Sequence, residues 1–565
     1  MRSTLLGVIL AAAAVAAAQE ETVQVELQQG VIEGARSEIA EGRFVYSFLT
    51  IPFAEPPVGD LRFKNPVPAA PWSGVRNGSL PTPMCPQLFT LVEAKLQGQE
   101  DCLFLNVHTP RPHEADLPVM VWIHGGGFTI GNSAFYGPAP LLTKDVVLVV
   151  IQYRLSTLGF LTTGDDEIPG NLGLKDQTMA LRWVQDNIRA FGGDPGKVTI
   201  FGESAGAAST HFHVLSPMSA GLFQRAIMQS GTALDPWAVR EDHSDVATRF
   251  GEMFNCSGSS PLTSSELVAC LREVPAADLI EAPNKFKVFV DFPSVMAPSV
   301  DGEFLPDHPA RLLRDGRYNK VDVITGTTQH EGQSIVGMMA GNETLASLAK
   351  NFSANGPVMA YFEPEEDREY LARRFFHHYL GPLEDLAGKS DAMQELFSDR
   401  MFRMGSQDSL QLHARDAAFG QRAYAYELQH VGEYGLLSLF FGLGDAVNEH
   451  VSHGDDIQYL FSLEALNQTL GRQEDLLVRK IMVDLWTNFA ATGNPTPDLS
   501  LGFIWEPVTT SEEAYLAITL SPSMKTFDNE EVRHFWRNMP LKTNKLLDPE
   551  RFSSRCDRHA VGRTP

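Results

Sequence analysis

One five-residue segment, Gly202–Gly206, constrains the fold of this chain more than any other part of the sequence. Its pattern is Gly-Glu-Ser-Ala-Gly, and it follows an apolar run at residues 197–201 and precedes a helical pattern. In that setting Gly-x-Ser-x-Gly forms a tight strand-to-helix turn, and its small residues allow the close packing that the turn requires. The sequence therefore predicts that Ser204 is a nucleophile and that the amides at the start of the next helix point at the reacting centre.

Continuous apolar runs elsewhere predict further strands of the same sheet. Residues 118–123 and 146–151 are apolar and bounded by turn residues, which is typical of strands buried on both faces of a parallel sheet. A helical pattern at residues 174–191 separates the second run from the serine strand. Strand, helix and strand in this order predict an α/β fold with a central, mostly parallel sheet flanked by helices. Later elements are expected as strands at 321–325 and 422–428, helices at 474–490 and 530–536, and a helical insertion at 332–421.

A second glycine-rich segment, His124-Gly125-Gly126-Gly127-Phe128, follows the run at residues 118–123. Consecutive glycines let backbone N–H groups approach a substrate oxygen with no side chain between them. A flexible turn would explain one such segment, but two matching motifs on adjacent strands favour a chemical role. The amides of Gly126, Gly127 and Ala205 are therefore predicted to form an oxyanion hole.

A serine hydroxyl needs a base, and the base needs a carboxylate that orients it. Sixteen histidines are present, so residue type alone decides little. Folds of this type place serine first, the acid second and histidine last, which favours His453 in a late loop; His450 is its competitor by spacing alone. For the acid, Glu331 follows the predicted strand at 321–325, where a strand-end loop presents it, although most glutamates are solvated surface charges.

The ends of the chain and its cysteines indicate export. Residues 1–18 have a short positive head and an alanine-rich apolar run, which predicts a signal peptide and a secreted, extracellular protein without a membrane anchor. Residues 19–540 are interpreted as a single catalytic domain and residues 541–565 as a basic C-terminal tail. The five cysteines suit two local disulfide loops plus one left over, and Cys556 is either free or bridges to a second chain in a dimer. Sequons for N-glycosylation stand at Asn77, Asn255, Asn342, Asn351 and Asn467.

Charge and residue spacing argue against several other classes of protein. A formal net charge of −25 is unfavourable for binding nucleic acid or an anionic membrane. No histidine or cysteine cluster has metal-ligand spacing, so neither a metal nor a cofactor is expected. The expected partner is a small-molecule ester.

Several longer segments resemble the type-B carboxylesterase family, which includes cholinesterases and insect juvenile hormone esterases. They run almost from end to end of the chain, at residues 51–59, 100–107, 124–128, 201–206 and 486–490. The resemblance implies an α/β-hydrolase fold with helical insertions over a deep active-site gorge. It also implies a catalytic triad of Ser204, Glu331 and His453.

The same resemblance implies several structural pairs. These are the disulfides Cys85–Cys102 and Cys256–Cys270 and an ion pair between Arg62 and Glu100. Glu203, beside the predicted nucleophile, matches a buried family glutamate that tunes the electrostatics of the site, although many juvenile hormone esterases have glutamine there.

One departure from the family bears on the substrate. Cholinesterases carry a tryptophan inside the first disulfide loop that stacks on a quaternary ammonium group. The segment between Cys85 and Cys102 contains no tryptophan, so choline esters are not the expected substrates. The sequence favours a hydrolase of lipophilic esters, of xenobiotic or juvenoid methyl-ester type, acting through an acyl-serine intermediate. A slow-turnover scavenger or binding protein of the same fold and an acylglycerol lipase-like activity are the alternatives left open.

Overall fold

The computed structural model describes residues 21–553, except for residues 40–41, 90–94, 114–115, 242, 340–341, 384–385, 387, 437–448, 464–468 and 512. The predicted signal peptide, Cys556 and the sequon at Asn467 lie outside the described residues. Among the helices that the structure describes, none is long and apolar enough to span a membrane.

A large mixed sheet organises the described part of the chain. The strands are β1 (Thr22–Glu26), β2 (Val31–Ile39), β3 (Arg43–Pro52), β4 (Val75–Asn77), β5 (Gln87–Phe89), β6 (Lys95–Gln97), β7 (Phe104–Thr109), β8 (Leu117–Ile123), β9 (Val147–Ile151), β10 (Gly193–Glu203), β11 (Arg225–Gln229), β12 (Asp322–Thr328), β13 (Ala423–Leu428), β14 (Ala514–Ile518) and β15 (Ser523–Thr526). Thirteen of them form one sheet in the order β1-β2-β3-β7-β9-β8-β10-β11-β12-β13-β14-β15, with β4 beside β2; β5 and β6 form a separate hairpin.

The centre of the large sheet is parallel. Every neighbouring pair from β9 through β8 and β10 to β14 runs parallel. The other neighbours in this order pair antiparallel, and β4 runs parallel to β2. The predicted α/β fold with a mostly parallel central sheet is confirmed. The carboxyl ends of parallel strands lie along one edge of a sheet, so the loops after β8, β10 and β12 meet there.

Helices pack on both faces of this sheet. They are α1 (Ser156–Phe160), α2 (Leu172–Asn187), α3 (Ala205–Leu215), α4 (Ser244–Met253), α5 (Ser264–Glu273), α6 (Ala276–Glu281), α7 (Pro309–Arg314), α8 (Gln333–Met338), α9 (Asn342–Lys350), α10 (Phe352–Met359), α11 (Arg368–Leu380), α12 (Ser390–Ser398), α13 (Met404–Arg415), α14 (Ile457–Leu460), α15 (Gln473–Thr492), α16 (Glu530–Arg537), α17 (Lys542–Leu547) and α18 (Pro549–Ser553). The structure therefore contains the strands and helices predicted from the apolar patterns, with α2 ending at Asn187 and a 3₁₀ turn continuing to Phe191.

The side chains of β8 show why the central strands are apolar throughout. Val121 and Ile123 belong to the apolar cluster on one face, with residues of α2 and α3. Met120 and Trp122 belong to the cluster on the other face, with residues of α15. Because successive side chains of a strand point to opposite faces, a strand covered on both sides needs an unbroken apolar run.

The predicted helical insertion is present after β12. Helices α8 to α13 share a third apolar cluster, which includes Phe375 and Phe397. Trp536 of α16 and Leu541 pack into the same cluster. The segment predicted as a tail therefore begins against the insertion, and its residues Lys542–Leu547 form helix α17. Arg314 of α7 also donates a hydrogen bond to the Leu546 carbonyl at 2.6 Å.

The structure contains both disulfides implied by the family resemblance, Cys85–Cys102 and Cys256–Cys270. The implied ion pair between Arg62 and Glu100 is present, with Arg62 Nε donating to Glu100 Oε2 at 2.8 Å. Three predicted glycosylation sites, Asn77, Asn255 and Asn351, are exposed.

Candidate active site

The loops that carry the predicted functional residues leave the sheet at the same edge. Ser204 directly follows β10, the glycine-rich segment follows β8, and Glu331 lies just beyond β12. Parallel pairing sets Ile123 of β8 beside Gly202 of β10. Two motifs that are far apart in the sequence therefore begin next to each other in space.

Ser204 occupies a strained backbone conformation, with φ 58° and ψ −124°. Such conformations cost on the order of 1–3 kcal/mol and persist only where the surrounding structure enforces them. The Ser204 N–H donates to the Gln229 carbonyl at 2.8 Å, so β11 fixes the turn. Only glycine fits at position 206, because a Cβ there would lie 2.0 Å from the Ile123 carbonyl oxygen. This is the sharp strand-to-helix turn that the motif predicts.

The glycine-rich segment packs directly against the serine. A Cβ on Gly125 would lie 3.1 Å from Ser204 Cβ. The N–H groups of Gly126 and Gly127 donate no hydrogen bond to any residue that the structure describes. Ala205 is the first residue of α3, so its N–H has no partner within the helix. All three amides predicted for the oxyanion hole are thus available to bind a negatively charged oxygen.

The structure brings the predicted acid and base together. His453 Nδ1 lies 2.7 Å from Glu331 Oε2. Glu331 is fully buried, and its other carboxylate oxygen accepts a hydrogen bond from the Thr328 N–H at 2.7 Å. Burial by itself lowers the pKa of His453, but the carboxylates of Glu203 and Glu331 raise it, to about 9. The pairing through Nδ1 leaves Nε2 as the nitrogen that can exchange a proton with substrate groups.

Glu203 contacts the base directly, which the sequence does not indicate. Its Oε1 lies 3.1 Å from His453 Nε2, and the described residues contain no hydrogen bond between that nitrogen and Ser204 Oγ. Hydrogen bonds of this kind are often long or misaligned without substrate and tighten when it binds. Burial raises the pKa of Glu203 to about 8. The Glu203 carboxylate beside Nε2 is therefore one of the charges that raise the pKa of His453.

His450 does not contact the acid. Its ring packs edge-on against His330, with 5.0 Å between the ring centroids. Of the two histidines that spacing leaves open, the geometry pairs His453 with Glu331.

A buried aspartate that the sequence reasoning did not single out anchors the histidine loop. Asp456 accepts hydrogen bonds from the Tyr426 hydroxyl at 2.7 Å and from Gln229 Nε2 at 2.9 Å. Because the Gln229 carbonyl also binds the Ser204 N–H, Asp456 joins the loop of His453 to the serine turn. The only signal in the sequence is an acid three residues after the candidate base.

Aromatic side chains form one wall beside the base. The ring centroids of Phe402 and His453 are 4.5 Å apart. The ring centroid of Trp237 lies 6.0 Å from that of Phe402 and 6.3 Å from that of Phe128. A cavity of about 320 Å³ lies next to Trp237, and neither Ser204 nor His453 lines it. No sequence pattern identifies Phe402 or Trp237, since aromatic residues are usually core residues.

Comparison with known proteins agrees with this architecture. The sheet order and the turn at Ser204 define an α/β-hydrolase. The chain belongs to the carboxylesterase family, whose model matches residues 21–536, and it is a carboxylic ester hydrolase.

Three relatives illustrate the similarity. The chain is 38% identical to a juvenile hormone esterase of Tribolium castaneum, over 84% of each chain. It is 36% identical to esterase FE4 of Myzus persicae, over 90% of this chain and 91% of that protein. It is 37% identical to the pyrethroid hydrolase Ces2a of Mus musculus, over 91% of this chain and 90% of that protein.

Proposed function

We propose that the protein is a secreted serine hydrolase that cleaves lipophilic carboxylic esters through an acyl-serine intermediate. The observation that carries the proposal is the arrangement around Ser204. The serine stands on a strained turn beside unengaged amides, and a buried carboxylate orients a histidine at the same edge of the sheet.

The mechanism follows from this arrangement. His453 removes the proton from the Ser204 hydroxyl as Oγ attacks the ester carbonyl. The amides of Gly126, Gly127 and Ala205 stabilise the oxyanion that forms. The alcohol leaves with the proton from the imidazole, and water then repeats the sequence on the acyl-enzyme. The carboxylate at Nδ1 holds the imidazole in one tautomer and stabilises its charged form.

Three observations support a lipophilic ester as the substrate and an exported protein. The loop between Cys85 and Cys102 has no tryptophan to stack on a quaternary ammonium group. A juvenile hormone esterase and a pyrethroid hydrolase are among the similar proteins. The signal-peptide pattern at residues 1–18 and the two disulfides fit an oxidising compartment.

A substrate panel tests the proposed function. Purified protein is expected to hydrolyse naphthyl, nitrophenyl and juvenoid methyl esters with higher kcat/KM than acetylthiocholine, because the segment between Cys85 and Cys102 supplies no indole ring to stack on the choline cation. Faster hydrolysis of acetylthiocholine would contradict the proposed substrate class. A burst of one nitrophenol per chain with no steady-state release would instead identify a slow-turnover scavenger.

The contact between Glu203 and His453 predicts a pH effect. Glu203→Gln removes a carboxylate 3.1 Å from Nε2, so the pKa of His453 is expected to fall. The neutral base then persists to lower pH, and the acid limb of the kcat/KM profile should move down by about 1 unit or more. The profile is measured with a nitrophenyl ester for wild type, for this variant and for the exposed-site control Glu366→Gln. An acid limb that stays in place or moves to higher pH would show that Glu203 does not control the base.

A further inference from the structure

The helical insertion contains an irregular turn, Asp399–Arg403, between α12 and α13. The turn is π-helical, since the Met404 N–H donates to the carbonyl of Asp399, five residues earlier. Such turns are rare, and they occur frequently at functional sites. The turn is also well buried, with Met401 1% exposed and Phe402 6% exposed.

This π turn holds the segment of the predicted acid from both sides. Arg403 Nη2 donates to the carbonyl of Gln329, two residues before Glu331, at 2.6 Å. The N–H of Gly332, directly after Glu331, donates at 2.9 Å to the hydroxyl of Ser398, the residue before the turn. Two hydrogen bonds therefore tie the backbone on either side of Glu331 to the same helical segment.

The same turn covers the base. The Phe402 ring lies against His453 at 4.5 Å, with 36° between the ring planes. The Met401 carbonyl accepts a hydrogen bond from Trp237 Nε1 at 2.8 Å, and this holds the indole beside Phe402. The turn and the residue before it therefore contact the backbone on either side of Glu331, and the turn also contacts the ring of His453.

The extra residue of a π turn explains how one helical segment contacts both the backbone around Glu331 and the ring of His453. Removing it would rotate the two flanking helical parts relative to each other by about 100°. Arg403 is itself fixed, because Nη1 lies 2.6 Å from Glu395 Oε2 and 3.1 Å from Asp399 Oδ1. Its side chain is only 15% exposed.

We propose that the π turn positions the acid–base pair, and that Arg403 is the positioning residue that holds the Glu331 segment against His453. The inference rests on the proposed catalytic roles of those two residues. A misplacement of about 1 Å in such a site costs on the order of 100-fold in rate. Loss of Arg403 should therefore lower kcat and leave ester binding almost unchanged.

The test compares two arginines of the same turn. Arg403→Met removes the hydrogen bond to Gln329, whereas Arg400→Met removes one to the Ala360 carbonyl at 2.8 Å, away from the acid–base pair. We expect Arg403→Met to lower kcat by about 10- to 100-fold with KM within about threefold of wild type. Arg400→Met should keep kcat within about twofold, even where thermal stability falls equally. Rates are divided by the concentration of sites titrated with a fluorophosphonate.

Two further variants keep the test decisive. Arg403→Lys restores a donor and should recover most of the lost kcat. If Arg403→Met does not yield folded protein, Ser398→Ala removes the other hydrogen bond and should also lower kcat without raising KM. Equal kcat for the Arg403→Met and Arg400→Met variants, or an effect confined to KM, would overturn the inference. Turnover in Ser204→Ala would overturn the proposed function instead, so the two failures are distinguishable.

Discussion

The Ser204→Ala variant is expected to lose ester hydrolysis, with kcat falling by about 10⁶-fold. Ser204 supplies the hydroxyl that forms the acyl intermediate, so only binding and the oxyanion amides would contribute to the remaining rate. The variant should still fold, because the change removes one oxygen atom from a partly exposed residue and keeps the backbone hydrogen bond to Gln229. Steady-state hydrolysis of a nitrophenyl ester and thermal unfolding measure both expectations.

A neighbouring serine provides a matched control for this variant. Ser230 directly follows β11, has φ 55°, and is buried. Its hydroxyl has no hydrogen-bond partner among the residues that the structure describes. Ser230→Ala therefore removes the same atom from a similar backbone and should retain kcat within about twofold. Near-wild-type activity of Ser204→Ala, or an equal loss in both variants, would refute the assignment of the nucleophile.

The Glu331→Gln variant has the second largest expected effect, a fall in kcat of about 10⁴-fold. This corresponds to about 5.4 kcal/mol of transition-state stabilisation, at 1.36 kcal/mol for each tenfold change in rate. A glutamine at this site is nearly isosteric, but it cannot stabilise the imidazolium, and its amide favours the wrong tautomer of His453. The measurement is single-turnover acylation by a nitrophenyl ester, which isolates the step that the base assists.

A double variant checks that the two residues act as one unit. Residues of a catalytic triad are strongly non-additive, so Ser204→Ala with Glu331→Gln should be no slower than Ser204→Ala alone. A further large decrease in the double variant would show that Glu331 contributes through another route. Loss of less than about tenfold in Glu331→Gln would show that another acid orients His453.

The fold was predictable because its central strands are covered on both faces. Burial on both sides requires unbroken apolar runs, and such runs mark β8, β9 and β10 in the sequence. The serine turn was predictable for a related reason, because position 206 tolerates no side chain. Local patterns of this kind need no knowledge of distant residues.

The supports of the site were not predictable in the same way. Phe402 and Arg403 have no pattern that separates them from other core aromatics and surface arginines. Their positions depend on a π turn, which no residue type in the segment specifies. Asp456 likewise gains its partners Tyr426 and Gln229 from strands that are remote in sequence.

The sequence by itself determined the class of fold, the turn that carries Ser204 and the glycine segment beside it. Each of these depends on neighbours along the chain, whose periodicity and size restrict the backbone directly. The family resemblance implied that Glu331 and His453 act together, but only the tertiary structure showed their contact at 2.7 Å and placed Glu203 against Nε2. Those contacts join loops from different strands, and their distances follow from the packing of the whole sheet and its helical insertion.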